Sequence, residues 1–232
     1  MSAEARRGQL VELYREASVC ERCALAETRT KVVFGAGDAN AELMFVGEAP
    51  GAEEDRRGLP FVGRAGVLLN ELLEGIGLSR DRVFIGNVLK CRPPGNRDPQ
   101  PVEIESCRPY LLDQVRLIEP KVVATLGNFA TKLLTGNQTG ITRVRGTPQV
   151  HTLGERTVYI FPLLHPAAAL RTPQMKTTLI EDFATLERLL GEPAPTPLPE
   201  AVTEAAVAAA EEPSGAPAAA EPSTDQLDIF GA

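Results

Sequence analysis

Three polar side chains of different chemistry each stand at the end of an apolar run: Glu48, Asn87 and His165. A carboxylate can orient water, an amide offers both a donor and an acceptor, and an imidazole can donate to a developing negative charge. In an open α/β sheet, the carboxyl ends of parallel strands border one ligand crevice. We therefore expect the three side chains to lie along one edge of such a sheet.

The turn that carries the carboxylate reads Gly47-Glu48-Ala49-Pro50-Gly51. Gly47 permits a tight turn, and Pro50-Gly51 prevents the chain from continuing as strand or helix. This composition is typical of a loop at a ligand crevice. Taken alone, the turn is also compatible with an ordinary strand exit that bears a solvated glutamate.

All four cysteines of the chain fall into two pairs. Cys20 and Cys23 form a C-x2-C pair after a predicted N-terminal helix, and Cys91 and Cys107 flank a Pro-rich loop after Asn87. Four thiolates can hold zinc or an iron-sulfur cluster, and their spacing does not choose between the two. Four unrelated thiols are the remaining alternative. A bound metal would tie the N-terminal helix to the segment that follows Asn87.

Strand and helix patterns alternate along the chain, which favours a largely parallel sheet covered on both faces. Apolar runs predict four core strands, at 41–46, 82–87, 121–126 and 157–164. Helical spacing predicts helices at 6–18, 65–76, 104–118 and 175–190, and a short helix through Leu133-Leu134. Asp98-Pro99 resembles the start of the third of these helices, Pro109 should kink or interrupt it, and 143–151 could add a peripheral strand.

The composition divides the chain into a domain at 1–192 and a tail at 193–232. The tail has 12 Ala and 7 Pro in 40 residues, which predicts disorder because it cannot bury enough apolar surface. It also carries seven acidic residues and no basic one, so the net charge of −7 leaves the domain balanced and does not exclude a nucleic-acid partner. No apolar run could span a membrane and no signal peptide is evident, so we expect a cytoplasmic protein with no membrane partner.

Several motifs in order resemble the family 4 uracil-DNA glycosylases, over about Leu10 to Leu190. They are Gly47-Glu48-Ala49-Pro50-Gly51, Gly58-Leu59-Pro60-Phe61-Val62-Gly63, Gly86-Asn87-Val88-Leu89-Lys90-Cys91-Arg92-Pro93-Pro94, His165-Pro166-Ala167-Ala168 and the two cysteine pairs. The resemblance implies an α/β fold with three α/β/α layers and a four-stranded parallel central sheet. It also implies a [4Fe-4S] cluster on Cys20, Cys23, Cys91 and Cys107, and removal of uracil from DNA by a monomeric enzyme.

The implied chemistry assigns a role to each motif. A base must be flipped out of the duplex to be reached, and Phe61 would stack on it while Asn87 reads its O4 and N3–H edge. His165 would stabilise the charge that develops on the uracil O2. Gly47 and Ala49 would line the uracil pocket. Glu48 would take the water-positioning role, which the better-known uracil glycosylases give to an Asp at the place of Ala49; their bulky Tyr is replaced here by Gly51.

Further residues are candidates for contact with DNA. In the segment 168–173, Leu170 or Arg171 would enter the minor groove and fill the gap left by the flipped base. A loop leucine that merely covers the last helix is the alternative. Basic side chains near the predicted edge are candidate phosphate contacts; these are Lys90, Arg92, Arg97, Arg143 and Arg145.

The end of the tail, Gln226-Leu227-Asp228-Ile229-Phe230, resembles the pentapeptide that binds the bacterial sliding clamp. Tethering to the clamp would raise the local concentration of the enzyme on replicating DNA. A nonspecific terminus is the alternative.

Two other functions compete with uracil excision. One is a uracil-DNA trapping protein without turnover; the related cross-linking proteins carry a histidine after the second strand, and this chain has none between Asn87 and Cys107. The other is a DNA-binding module braced by zinc.

Overall fold

The computed structural model describes residues 1–196. Within this range a single sheet of six strands forms the centre of the molecule. The strands are β1 (Ala36–Gly37), β2 (Leu43–Gly47), β3 (Phe84–Asn87), β4 (Val122–Leu126), β5 (Gln149–Leu153) and β6 (Arg156–Leu163).

The order across the sheet is β1-β3-β2-β4-β6-β5. The four inner strands pair in parallel, which confirms the predicted core. Each outer strand pairs antiparallel with its neighbour, so the sheet is mixed and larger than the four strands expected. The strand β5 falls partly within the predicted peripheral segment at 143–151, whereas β1 has only two residues and no apolar run to reveal it.

Helices cover both faces of the sheet. Within residues 1–196 the α-helices are α1 (Ala3–Ser18), α2 (Leu25–Thr28), α3 (Ala52–Arg57), α4 (Arg64–Glu74), α5 (Pro101–Ile118), α6 (Asn128–Thr135), α7 (Ile141–Val144), α8 (Pro166–Ala169) and α9 (Pro173–Gly191), and single helical turns lie at Arg80–Arg82 and Pro94–Asn96. None of them is long and apolar enough to cross a membrane.

Alternation along the central strands divides the core into two layers. In β2, Met44 and Val46 pack into the layer that contains α1 and α5, while Leu43 and Phe45 pack into the layer that contains α4 and α9. Successive strand side chains point to opposite faces, so a strand buried on both sides reads as an unbroken apolar run. This pattern made the inner strands visible in the sequence, and it confirms the three-layer α/β/α architecture.

The helix α5 differs from expectation at two points. It begins at Pro101 with Gln100 as its N-cap, because the Glu103 carboxylate accepts a hydrogen bond from the Gln100 N–H at 2.8 Å; Asp98-Pro99 is therefore not its start. The helix also continues through Pro109 without interruption. Pro109 and Glu105 both lie on the exposed face, where water can bond the carbonyl that the proline leaves without a donor.

Candidate active site and cysteine cluster

The exits of the inner strands converge as the topology requires. Gly47 at the end of β2 is in register with Asn87 at the end of β3, and His165 lies two residues beyond β6. Since β3 and β4 lie on opposite sides of β2, the point where the strand order reverses is at the exit of β2, where open α/β sheets bind ligands. A cleft of about 720 Å³ opens there and is bordered by Glu48, His165, Gly127 and Asn128.

Glu48 is half-buried at the mouth of β2. Its main-chain carbonyl accepts a hydrogen bond from the Leu89 N–H at 3.0 Å, so the β2 and β3 exits are held together beyond the sheet. Burial, and then the negative charge of Asp98, raise the pKa of the Glu48 carboxyl above its usual 4.5. A carboxylate with a raised pKa is a better proton acceptor than a free glutamate.

His165 is the N-cap of α8, and its orientation is set by that helix. The Ala167 N–H donates to His165 Nδ1 at 3.1 Å. Burial lowers the pKa of the imidazole below 6.5, against an opposing effect of Glu54. A neutral ring whose Nδ1 accepts must carry its proton on Nε2, so His165 offers an Nε2–H donor. A Cβ at Gly127 would lie 3.2 Å from the His165 Cβ, so glycine leaves room for the ring.

Asn87 is buried at the end of β3 beside Gly47. A Cβ at Gly47 would overlap the Asn87 Oδ1 atom and lie 3.0 Å from the Phe61 Cζ atom. Glycine therefore allows the amide and the ring to approach the strand exit together. Ala49, two residues further on, is half-buried against the core.

Phe61 stacks on His165, with ring centroids 5.7 Å apart and planes inclined by 29°. Its backbone is left-handed (φ 51°), a conformation that costs a non-glycine residue about 1–2 kcal/mol. Arg80 offsets this cost by donating to the carbonyls of Pro60 and Phe61, the latter at 3.0 Å. Glu54 accepts from the next two N–H groups, at 3.1 and 3.2 Å.

Leu170 and Arg171 lie in the short link between α8 and α9, and both are exposed. Leu170 is 38% exposed and borders a groove of about 240 Å³ between α4 and the start of α9. Their exposed position is therefore compatible with insertion into DNA. The two residues directly follow α8, whose N-cap is His165.

The candidate phosphate contacts differ in how accessible their charged groups are. Lys90 is buried, so the prediction that it contacts phosphate is wrong; the apolar surroundings of the β3 exit enclose it. Arg145 is paired with Asp182 at 2.7 Å and Arg97 with Glu103 at 2.5 Å, so each guanidinium has fewer N–H groups left for a phosphate. Arg143 is exposed, and Arg92 is half-exposed and bonded to Asn96 at 2.7 Å.

The four cysteines come from three parts of the chain. Cys20 and Cys23 lie between α1 and α2, Cys91 lies four residues beyond β3, and Cys107 lies within α5. Arg29 connects two of these parts, because it donates to the Cys20 carbonyl at 2.6 Å and to the Cys91 Sγ at 3.6 Å. Within residues 1–196, no three His, Cys, Asp or Glu side chains form the ligand set of a single metal ion.

The thiols nevertheless lie close enough to affect one another. Burial raises the pKa of Cys91 to about 11, with Arg29 opposing and Cys107 and Cys23 adding to the rise. Burial also raises the pKa of Cys107, where the main-chain N–H of Lys90 opposes and Cys23 and Cys20 add. Two buried thiols, with a guanidinium donating to the Cys91 Sγ at 3.6 Å, fit a thiolate-bound cluster, because such donors stabilise the thiolate form.

Some residues of this region were not singled out from the sequence. Asp98 and Asn128 border the cleft, and Glu54 and Arg80 hold the Phe61 loop. Asn128 was detectable, since it follows the end of β4 just as Glu48 follows β2. The links of Glu54 and Arg80 to Phe61 depend on tertiary contacts that no local pattern reveals.

Comparisons with known proteins agree with this geometry. Residues 34–185 match the family model described as the uracil DNA glycosylase superfamily. A type-4 uracil-DNA glycosylase of Sulfurisphaera tokodaii is 47% identical, over 78% of this chain and 84% of that protein. The type-4 enzymes of Archaeoglobus fulgidus (45%; 81% and 96%) and Thermotoga maritima (43%; 76% and 93%) are similar over comparable spans. The chain therefore belongs to the uracil-DNA glycosylase superfamily and, within it, to the type-4 family.

Proposed function

We propose that the protein removes uracil from DNA by hydrolysing the N-glycosidic bond of a flipped deoxyuridine, which initiates base excision repair. It acts as a monofunctional glycosylase. The proposal is carried by the position of Glu48 and His165 on one cleft at the switch point of the sheet, with Asn87 in register beside Gly47, in a chain of this family. The type-4 relatives support the choice of uracil as the base.

Uracil recognition falls to Asn87 and Phe61. The amide of Asn87 donates to O4 and accepts from N3–H, whereas cytosine presents the opposite pattern and would leave buried polar groups unpaired. The Phe61 ring supplies a stacking face, and the small residues Gly47 and Ala49 would line the pocket beside it. The contact between Phe61 and His165 supports a base position that both side chains reach.

Catalysis then follows from the neutral His165. When the C1′–N1 bond breaks, its electron pair moves into the uracil ring and charge collects on O2, while the sugar becomes an oxocarbenium ion. The Nε2–H of His165 donates to that oxygen, and a donor in such a position is worth about 3 kcal/mol. The hydrogen bond from Ala167 supports this assignment because it leaves the proton on Nε2.

Glu48 completes the reaction on the sugar side. Its carboxylate orients a water molecule, and the oxygen of this water attacks C1′. The carboxylate accepts the proton that the water loses. The raised pKa of Glu48 supports this role, and its negative charge also stabilises the oxocarbenium ion.

Cys20, Cys23, Cys91 and Cys107 would hold a [4Fe-4S] cluster, as the family implies. The cluster supplies a structural brace between the N-terminal region and the segment that carries Asn87. The hydrogen bonds of Arg29 to two of the three cysteine-bearing segments support this arrangement.

Leu170 and Arg171 are proposed to enter the minor groove beside the flipped nucleotide. We also propose that the chain acts as a monomer, with the catalytic domain at 1–192 and a tail at 193–232. The clamp-binding motif Gln226-Leu227-Asp228-Ile229-Phe230 lies outside the residues that the structure describes, and the sliding clamp stays a proposed partner.

The function is tested with an oligonucleotide that contains one uracil. After incubation with the wild-type protein, heating in alkali should break the strand at the uracil, and Glu48→Ala, Asn87→Ala and His165→Ala should each slow this by about 10²-fold or more. An intact strand after incubation with cluster-loaded protein would refute excision. A protein–DNA adduct stable in detergent would favour the trapping function instead.

A further inference from the structure

Lys90 is a buried cation whose two hydrogen-bond partners lie in different elements, β3 and α5. Its side chain is 2% exposed. The ammonium donates to the main-chain carbonyl of Asn87 at 2.8 Å and to the Gln114 Oε1 at 2.7 Å. Lys90 directly precedes Cys91 in the chain, and Gln114 belongs to α5, the helix that carries Cys107. One side chain therefore connects α5, which carries Cys107, to the residue assigned to read the base.

The ammonium is held by a network that is buried throughout. Gln114 is completely buried in α5, and its Nε2 donates to the Phe34 carbonyl at 2.8 Å. The amide of Gln114 must therefore present its oxygen to Lys90. A buried ammonium must have hydrogen-bond partners, because leaving it unpaired is costly. Both acceptors of the Lys90 ammonium are neutral oxygens, one from the Asn87 main chain and one from the Gln114 side chain.

The main-chain carbonyl that the Lys90 ammonium binds belongs to Asn87, the residue assigned to read the base. The Asn87 carbonyl is the last of β3, and the next two N–H groups bond back to the carbonyls of Gly47 and Glu48, at 2.9 and 3.0 Å. Fixing the Asn87 peptide at this point sets the direction in which its side chain leaves the strand. The amide itself sits against Gly47, which leaves it little room to compensate for a rotated backbone.

We propose that Lys90 is a positioning residue for uracil recognition: its buried ammonium fixes the carbonyl of Asn87 and so aims the Asn87 amide at the base. This inference rests on the proposed function. Lys90 touches neither the base nor the sugar, and it acts through Asn87. The same network makes the orientation of Asn87 dependent on α5, which carries Cys107, because Gln114 of that helix holds the ammonium.

The test measures the part of DNA binding that depends on the base. Two duplexes of the same sequence are compared, one with a non-hydrolysable 2′-fluoro-deoxyuridine and one with an abasic-site analogue at that position. Lys90→Met keeps the length of the side chain and removes the donor. It should weaken binding of the uracil duplex about 10–100-fold and leave the abasic duplex within about twofold, with kcat/KM reduced in parallel.

The matched control is Lys121→Met. Lys121 also donates to two main-chain carbonyls, those of Leu190 and Glu192, but it precedes β4 at the opposite edge of the sheet. This variant should leave both affinities unchanged. Absorbance near about 400 nm, per mole of protein, reports whether each variant keeps its cluster.

Gln114→Met tests the same contact if Lys90→Met does not fold. It removes one acceptor and leaves Lys90 in place, so a smaller loss of about 3–10-fold is expected, again only on the uracil duplex. Equal weakening on both duplexes, no weakening, or a loss of activity that merely follows loss of the cluster would overturn the proposal. Wild-type protein that fails to excise uracil would instead refute the proposed function itself.

Discussion

At the level of single residues, the environment shifts the two candidate catalytic groups in opposite directions. Burial and Asp98 raise the pKa of Glu48 from 4.5, and burial lowers the pKa of His165 from 6.5. Both groups are needed in their deprotonated forms, one as a carboxylate and one as a neutral Nε2–H donor. The pKa of Glu48 therefore moves up from 4.5 and the pKa of His165 moves down from 6.5, so the two pKa values move towards each other.

The pH dependence of excision follows from these directions. Because the pKa of His165 lies below 6.5, the imidazole stays neutral at and above that pH; because the pKa of Glu48 lies above 4.5, its carboxylate is lost earlier on acidification. We expect single-turnover excision to fall as the pH drops from 6.5 to 4.5, and Glu48→Gln to remove one of the two ionisations. A rate that declines only above pH 6.5 would contradict these roles.

Gly47→Ala should impair uracil recognition without unfolding the protein. The added methyl would overlap the Asn87 Oδ1 atom and crowd Phe61, so one of them must move, at a cost of about 1–3 kcal/mol. We expect kcat/KM to fall about tenfold or more. The control is Gly86→Ala in β3, where the nearest atom would lie at an ordinary 3.7 Å; comparable losses in both variants would show that any strand substitution is harmful.

At the level of elements, the loop that presents Phe61 depends on side chains from other parts of the chain. Arg80 belongs to the single-turn helix at Arg80–Arg82 before β3, and Glu54 belongs to α3. Burial lowers the pKa of Arg80, yet the guanidinium remains charged, because arginine loses its proton only at extreme pH. The left-handed backbone of Phe61 is thus maintained from outside its own segment.

Arg80→Met should release this loop. Two buried carbonyls would lose a charged donor, which costs about 1–3 kcal/mol of stability. We expect a lower midpoint of thermal unfolding and weaker binding of uracil-containing DNA. Arg82→Met serves as the control because Arg82 is exposed in the same turn. If both variants behaved alike, the loop would not depend on Arg80.

At the scale of the whole molecule, the proposed cluster would connect three cysteine-bearing segments that are distant in sequence. Cys107→Ser should lower the iron and sulfide content and reduce the thermal midpoint by on the order of 10 °C, since metal binding contributes directly to folding free energy. Elemental analysis and calorimetry of anaerobically purified protein measure both effects. Bound zinc in the wild type, with no absorbance near about 400 nm, would instead favour the zinc alternative.

The tail is tested separately from the catalytic domain. Leu227→Ala together with Phe230→Ala should abolish binding to a bacterial sliding clamp, measured by surface plasmon resonance. Excision from a short oligonucleotide should not change, because tethering adds no catalytic contact. Ser223→Ala with Thr224→Ala, outside the motif, is the control; clamp binding that survives the first pair would refute the assignment.

The amino-acid sequence by itself determined the parallel core and the strand exits. Unbroken apolar runs such as 121–126 indicate strands that are buried on both faces. Because parallel strands end at one edge, the sequence alone predicts that Glu48, Asn87 and His165 lie along that edge. The period of the side chains is a local property, and for this reason a sequence displays it.

Only the tertiary structure decided which charged side chains are free and which are enclosed. In the sequence, Lys90 and Arg145 are candidate phosphate contacts. In the structure, the Lys90 ammonium is buried against Asn87 and the Arg145 guanidinium is paired with Asp182. The left-handed Phe61 and the role of Arg80 were equally hidden. These features depend on contacts between residues far apart in the chain, and the burial of a charge is set by everything that packs around it.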